Sequence, residues 1–299
     1  MKLLFIVNPI SGDVDKEPFL KKASKLCQKY GITTEIFKTT GSDDEKKVGN
    51  TIKAFAPDRV ASVGGDGTTL FSAIALLESK IPIGIIPLGS ANGMAVELGV
   101  QSNPMEALKD LIMSSMIKDL DILKINDKHF SMHLGDVGIN AEIVASYEQD
   151  PNRGMATYAK YFIDELTKND PFEVEVEAKG KTIVEKAVMV GICNAKKYGT
   201  GIPLNIDGNP MDGKFEIILV KDLNTQFLIN AGLSKFNDVF YMKENITAIC
   251  TELAVLKFKK PRLLQLDGEV IGKFKEIKVE IIKGATKLIT STDNQYVKD

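Results

Sequence analysis

Four short strand-like segments, apolar at residues 3–7, 60–63 and 81–86 and rich in β-branched residues at 33–37, alternate with helix-like segments through the first 120 residues. That alternation limits the possible folds more than any other feature of the chain. Periodic Phe19, Leu20, Ala23 and Leu26 predict a helix over 18–30. A polar helix follows over 42–55, with Ser42 or Asp43 as its cap. Further helices are expected over 69–77, 94–98 and 104–115. Strands separated by helices predict a parallel sheet covered on both faces. Ligands of such sheets bind beyond the carboxyl ends of the strands.

The pattern changes near Leu120. Strands are expected over 118–125, 130–134, 173–178, 182–193, 215–220, 254–260, 263–266, 275–282 and 287–290. Helices over 155–168 and 225–241 interrupt them. Glu173-Val174-Glu175-Val176-Glu177 alternates strictly, so one face is buried and the other wet. Many strands joined by turn residues argue for an antiparallel sandwich. The expected organisation is therefore an α/β domain with a parallel sheet over 1–120 and a β-rich domain over 121–299, with the C-terminal tail free to pack back on the first domain.

Gly64-Gly65-Asp66-Gly67-Thr68 lies between a strand and a helix. Glycines there let the backbone approach a bulky anion, and the first N–H groups of the helix point at it. A carboxylate beside phosphate makes sense with a cation between them, so Asp66 suggests a nucleotide held with a divalent metal. That points to phosphoryl transfer. Three more loops need explaining beside it. Asn8-Pro9-Ile10-Ser11-Gly12 ends the first strand and reads equally well as an ordinary turn. Pro87 to Gly93, with Gly89, Ser90 and Asn92, is a second strand-to-helix junction, whose residues also suit helix capping. Gln265-Leu266-Asp267-Gly268-Glu269 contains a hairpin dipeptide, and in an extended segment Asp267 and Glu269 would face one side.

Composition excludes little else. A net charge of −2 gives no general attraction to nucleic acid. No apolar run approaches the ~18 residues of a membrane span, and the opening residues read as a strand and not a signal peptide. Cys27, Cys193 and Cys250 lack paired spacing, which fits a reducing cytoplasm. His129 and His133 alternate with strand-like neighbours, and a structural role is favoured for both.

In their order and separation these loops resemble the catalytic domain of diacylglycerol kinases, a family that also includes sphingosine kinases and bacterial lipid kinases. Gly135-Asp136-Val137-Gly138-Ile139-Asn140-Ala141 fits it too, as do Arg153-Gly154 before Tyr158 and Tyr161, Asn194 with Tyr198-Gly199, and Met211-Asp212-Gly213. The resemblance covers nearly the whole chain. It implies that Asn8, Pro9, Ser11, Gly12, Gly64, Gly65, Asp66, Gly67, Thr68, Thr69, Gly89, Ser90 and Asn92 cradle ATP, with Thr39 a weaker match. It implies magnesium at Asp66, a second metal site at Asp212, and Glu269 as proton acceptor with Asp267 as its neighbour and possible substitute. The base on one domain and ATP on the other would put the reaction in a cleft.

Two departures bear on the metal. Gly93 stands where many bacterial members carry Asp, and Met211 where Asp is common. The resemblance also implies a cytoplasmic enzyme, transiently peripheral to a membrane, whose partner is a lipid. Lys257 to Arg262 is a basic stretch that either touches anionic lipid or guards a strand edge. Phe227, Leu228, Phe236 and Phe240 are core residues or line a lipid pocket. An NAD kinase-like enzyme and a catalytically impaired nucleotide- or lipid-binding regulator stay open as alternatives. So does the oligomeric state, a homodimer included.

Overall fold

The computed structural model describes residues 1–77, 79–138, 141, 143, 171–197, 204–221 and 246–297. The expected helices over 155–168 and 225–241 lie outside these residues. So do Ile139, Asn140, Arg153, Gly154, Tyr158, Tyr161, Tyr198, Gly199, Phe227, Leu228, Phe236 and Phe240. The chain forms two compact units, Met1–Ile122 with Lys283–Asp299, and Leu123–Ile282.

In the first unit, strands β1 (Lys2–Val7), β2 (Thr33–Lys38), β3 (Arg59–Gly64) and β4 (Pro82–Pro87) form a parallel sheet in the order β4-β3-β1-β2. Lys287 and Leu288, near the end of strand β14 (Glu269–Ile289), add a further parallel partner on the β4 edge. Side chains of a strand point alternately to the two faces. Leu3, Phe5 and Val7 accordingly pack with Ala61, Val63 and helices α1 (Glu17–Lys29) and α5 (Pro104–Met113). Leu4 and Ile6 pack on the other face with Val60, Ile83, Leu76 and Val48 of helix α2 (Asp44–Phe55). Burial on both faces is why β1, β3 and β4 read as largely apolar runs, while the edge strand β2 is mostly exposed. Each fully buried large side chain contributes about 1.5–3 kcal/mol.

Helix α3 (Asp66–Ile74) follows β3, and helix α4 (Gly93–Glu97) follows β4. Asn103 caps α5 by accepting from the Met105 and Glu106 N–H groups. The expected cap of α2 is corrected. Asp43 occupies the position but sits at φ 53 and makes no side-chain cap bond. The Asp44 carboxylate instead accepts from the N–H groups of Thr40 and Gly41, tying the helix to the preceding turn.

The second unit is an antiparallel β sandwich. Strands β7 (Leu134–Gly138), β10 (Met189–Cys193), β11 (Phe215–Val220) and β12 (Ile246–Thr251) run in the order β12-β11-β10-β7. Strand β13 (Leu253–Leu266) changes partners along its length. Its first half pairs with β8 (Phe172–Ala178), which pairs in turn with β9 (Lys181–Ala187). Leu264 to Leu266 pair with β7, after a register shift between Lys257 and Arg262. Strands β5 (Ile117–Ile125) and β6 (His129–Ser131) form a further hairpin. Phe172, Val174 and Val176 of β8 are buried in the core. The intervening Glu173, Glu175 and Glu177 form ion pairs with Lys259 and Lys257 of β13, and the Arg262 guanidinium lies 4.3 Å from the centre of the Phe172 ring. Two lysines of the basic stretch are thus bound to glutamates of the adjacent strand.

Candidate active site

Three of the four singled-out loops meet beyond the carboxyl ends of β1, β3 and β4, which are neighbours in the sheet. Their contact is backbone against backbone. A Cβ on Gly89 would lie 2.3 Å from the Gly65 Cα, and one on Gly12 would lie 2.7 Å from the Gly89 carbonyl carbon. Gly12 also has φ +64, a conformation that favours glycine. Ser11 Oγ accepts from the Gly65 N–H at 3.0 Å, joining the first loop to the second. The Leu88 N–H donates to the Gly64 carbonyl at 2.9 Å, joining the second to the third. Within loops, Asn8 Oδ1 accepts from the Ile10 N–H, and the Asn92 amide bonds both the N–H and the carbonyl of Gly89. Thr39 follows β2, and its N–H donates to the Val7 carbonyl.

Helix α3 begins at Asp66 with Gly65 as its N-cap, and that residue supplies no side-chain cap. The first N–H groups of a helix have no partner inside it. Thr69 Oγ1 donates back to the Gly65 carbonyl, while Thr68 Oγ1 is buried without a partner. A Cβ on Gly67, the second helical residue, would meet nothing within 4 Å. The start of α3 is therefore open on this flank, where the N–H groups of a helix's first turn can donate to a phosphate group.

Lys16, which the sequence reading missed, braces the first loop. It is 3% exposed, and its ammonium donates to the carbonyls of Ser11 and Val14. Burial pulls its pKa below the ordinary lysine value, against the opposing charges of Asp13 and Asp15.

Asp66 has a use that the sequence did not reveal. Its two carboxylate oxygens accept from the N–H groups of Gly93 and Met94, each at 2.8 Å. The carboxylate therefore caps α4 from 27 residues away in sequence. Among the described residues no group of three or more His, Cys, Asp or Glu side chains is placed to hold a metal ion. Asp212 Oδ1 accepts from the Lys214 N–H in a local turn. The Asp66 and Asp212 carboxylates are thus each engaged by backbone N–H groups of the protein. Gly93, at the position where the resemblance expects Asp, brings its peptide N–H to the Asp66 carboxylate.

The fourth loop is built in the second unit, and it corrects the reading of Asp267 and Glu269 as extended neighbours on one side. Asp267 and Gly268 have φ 50 and φ 89 and form the two-residue turn between β13 and β14, with Leu266 opposite Glu269. The Asp267 carboxylate turns inward. It accepts from Ser131 Oγ at 2.7 Å and from the N–H groups of Met132, His133 and Leu134 at 3.0–3.1 Å. Burial pushes its pKa up, while these donors pull it down. Gln265, buried on the same strand, accepts from the Gly268 N–H and donates to the buried Asp136. Glu269 is exposed at the start of β14.

Replacing Asp267 with alanine would strand the buried N–H groups of Met132, His133 and Leu134. Each unsatisfied donor costs about 1–3 kcal/mol, so Asp267→Ala is expected to lower unfolding stability by roughly 3 kcal/mol or more. A urea titration measures this, and a loss below about 1 kcal/mol would show that the turn is not anchored here.

The description "Diacylglycerol kinase catalytic domain" matches residues 2–125, and "YegS C-terminal NAD kinase beta sandwich-like domain" matches residues 136–290. The chain belongs to this lipid-kinase family. A Yersinia enterocolitica protein named "Probable lipid kinase YegS-like" is 29% identical over 294 residues, covering 95% of this chain and 94% of that one. The "Diacylglycerol kinase" of Bacillus subtilis is 23% identical over 274 residues, 89% of each chain. Among solved structures, a diacylglycerol kinase from Bacillus anthracis superposes with a TM-score of 0.72 at 21% identity over 97% of both chains. An NAD kinase from Archaeoglobus fulgidus in complex with ATP gives a TM-score of 0.55 at 13% identity, over 99% of this chain and 97% of that one. The two superpositions bear on the fold alone.

Proposed function

We propose that this protein transfers the γ-phosphate of ATP to the hydroxyl of a lipid, a diacylglycerol or a sphingoid-like acceptor. The observation that carries the reading is the glycine-to-glycine packing of three loops around the start of α3, with an open flank at Gly67. Phosphate oxygens would take the N–H groups of the first turn of α3, which are fixed before the nucleotide arrives. Donors held in place in this way stabilise charge that develops on the transferring group. A lipid hydroxyl is a poor nucleophile until it loses its proton, and Glu269 is the acceptor in this reading. The lipid oxygen then bonds to the γ-phosphorus, the bond from that phosphorus to the β-phosphate oxygen breaks, and ADP leaves. Asp267 positions the turn and does not substitute for Glu269, because its oxygens already hold four donors. Magnesium would accompany the nucleotide phosphates beside Asp66 and help neutralise their charge.

Among the described residues no helix is long and apolar enough to cross a membrane. Contact with a lipid acceptor is therefore proposed to occur at a bilayer surface. The test is an assay with labelled ATP across diacylglycerol, sphingoid bases and phosphatidylglycerol, with products separated by chromatography. A labelled phospholipid is the expected product. Parallel incubation with NAD decides the rival reading, since NADP as the sole labelled product would make the chain an NAD kinase. ATP binding with no labelled product from any acceptor would make it a regulator.

A further inference from the structure

Helix α4 has five residues, far fewer than a helix needs to hold itself together in water. It is fixed from both ends by side chains distant in sequence. At its start, Gly93 and Met94 donate to Asp66. At its end it meets the C-terminal segment of the chain. The Tyr296 hydroxyl donates to Glu97 Oε1, and the Gln295 amide donates to the Glu97 carbonyl at 3.1 Å. Glu97 is 5% exposed, so this pairing is made away from water. Burial, with the Glu97 carboxylate alongside, pushes the pKa of the Tyr296 phenol far above its ordinary value.

The segment lies against the protein along its backbone as well. A Cβ on Gly99, where φ is +65, would lie 2.5 Å from the Asp293 carbonyl oxygen. Asn294 is fully buried and donates to Thr290 Oγ1 at 3.0 Å. These contacts all lie within the first unit. They complete a chain of bonds from Tyr296 through Glu97 and α4 to Asp66, the first residue of α3.

We propose that Tyr296 is a positioning residue for the nucleotide site, holding α4 so that Asp66 and the first turn of α3 stay set for phosphate. The inference rests on the nucleotide reading above. Without the Tyr296 bond, the end of α4 keeps the Gln295 bond to its last carbonyl but loses this hold on the Glu97 side chain, and α4 is fixed less firmly. Asp66 then moves with it or loses its partners. Either result means that the donors must be reordered when ATP binds, which weakens binding. Turnover at saturating ATP is affected less, because the bound nucleotide restores the arrangement.

The test compares Tyr296→Phe, Glu97→Gln and the unaltered protein by calorimetric titration with ATP, by kcat against KM, and by thermal melting. Loss of this hydrogen bond to a charged group is expected to raise the ATP dissociation constant of Tyr296→Phe about five- to tenfold, with kcat within about twofold. Glu97→Gln keeps an amide oxygen to accept from the phenol and is expected to bind ATP nearly as the unaltered protein does. A Tyr296→Phe protein that melts normally and binds ATP within about twofold overturns the inference. So does a loss in Glu97→Gln equal to that in Tyr296→Phe, because the carboxylate charge and not the bond would then be responsible. ATP binding by neither the unaltered protein nor the variants would overturn the nucleotide reading, and this inference with it.

Discussion

Gly67→Ala is expected to make the protein more stable and much worse at binding ATP. The two effects have separate causes. Gly67 is exposed within α3, and a Cβ there would meet nothing within 4 Å, so alanine fits the folded chain. Alanine also favours helix over glycine by up to about 1 kcal/mol, which should appear as a small rise in melting temperature. Yet the added methyl would occupy the flank from which a phosphate oxygen must come within about 3 Å of an N–H group. Affinity for ATP should fall at least about tenfold, comparable to the 1–3 kcal/mol usual for overfilled sites. Calorimetric titration beside a thermal melt measures both. Unchanged ATP affinity in Gly67→Ala would remove phosphate from this helix start and, with it, the central support of the proposed function.

Glu269→Gln is expected to separate chemistry from binding. The amide keeps the size of the side chain but accepts no proton. Glu269 is exposed where β14 begins, so folding should hardly respond. Loss of a general base typically costs 10²–10⁴ in rate, and kcat should drop by about that factor with ATP affinity unchanged. Rapid-mixing assays with labelled ATP and a short-chain diacylglycerol would measure the step directly. Turnover within about threefold of the unaltered protein would assign the proton to another group. The neighbouring Asp267→Ala should behave differently, losing stability because its carboxylate anchors residues 131–134.

The inner parallel strands of the first unit were legible in the sequence because burial on both faces writes apolar runs, as in Leu3 to Val7, and the exposed β2 was legible from its β-branched residues. The sandwich was legible where one face is wet, as in Phe172–Ala178. Strand β12 was missed, since Ile246–Thr251 mixes polar and apolar residues without either pattern. The predicted strand over 130–134 is split at Met132 and His133, whose N–H groups turn to Asp267, more than 130 residues away. No local pattern carries that information. Likewise, the predicted strands over 275–282 and 287–290 are one strand, Glu269–Ile289, because pairing continues through the polar interruption.

The glycine loops at the candidate site were legible as close-approach turns, since only glycine tolerates such contacts. Which loop touches which was not. The role of Asp66 toward Gly93 and Met94 and the role of Tyr296 toward Glu97 depend on partners 27 and 199 residues apart. Sequence spacing is silent at such distances.

The pairing of Lys257 and Lys259 with glutamates of β8 sets how this strip would behave toward a charged surface. Opposite charges a few ångströms apart cancel each other's field within a distance comparable to the ionic screening length, ~8 Å in physiological salt. An anionic bilayer at twice that range would find little there to attract it. Long-range recruitment, in that case, must draw on other parts of the molecule, and this strip would act only on contact.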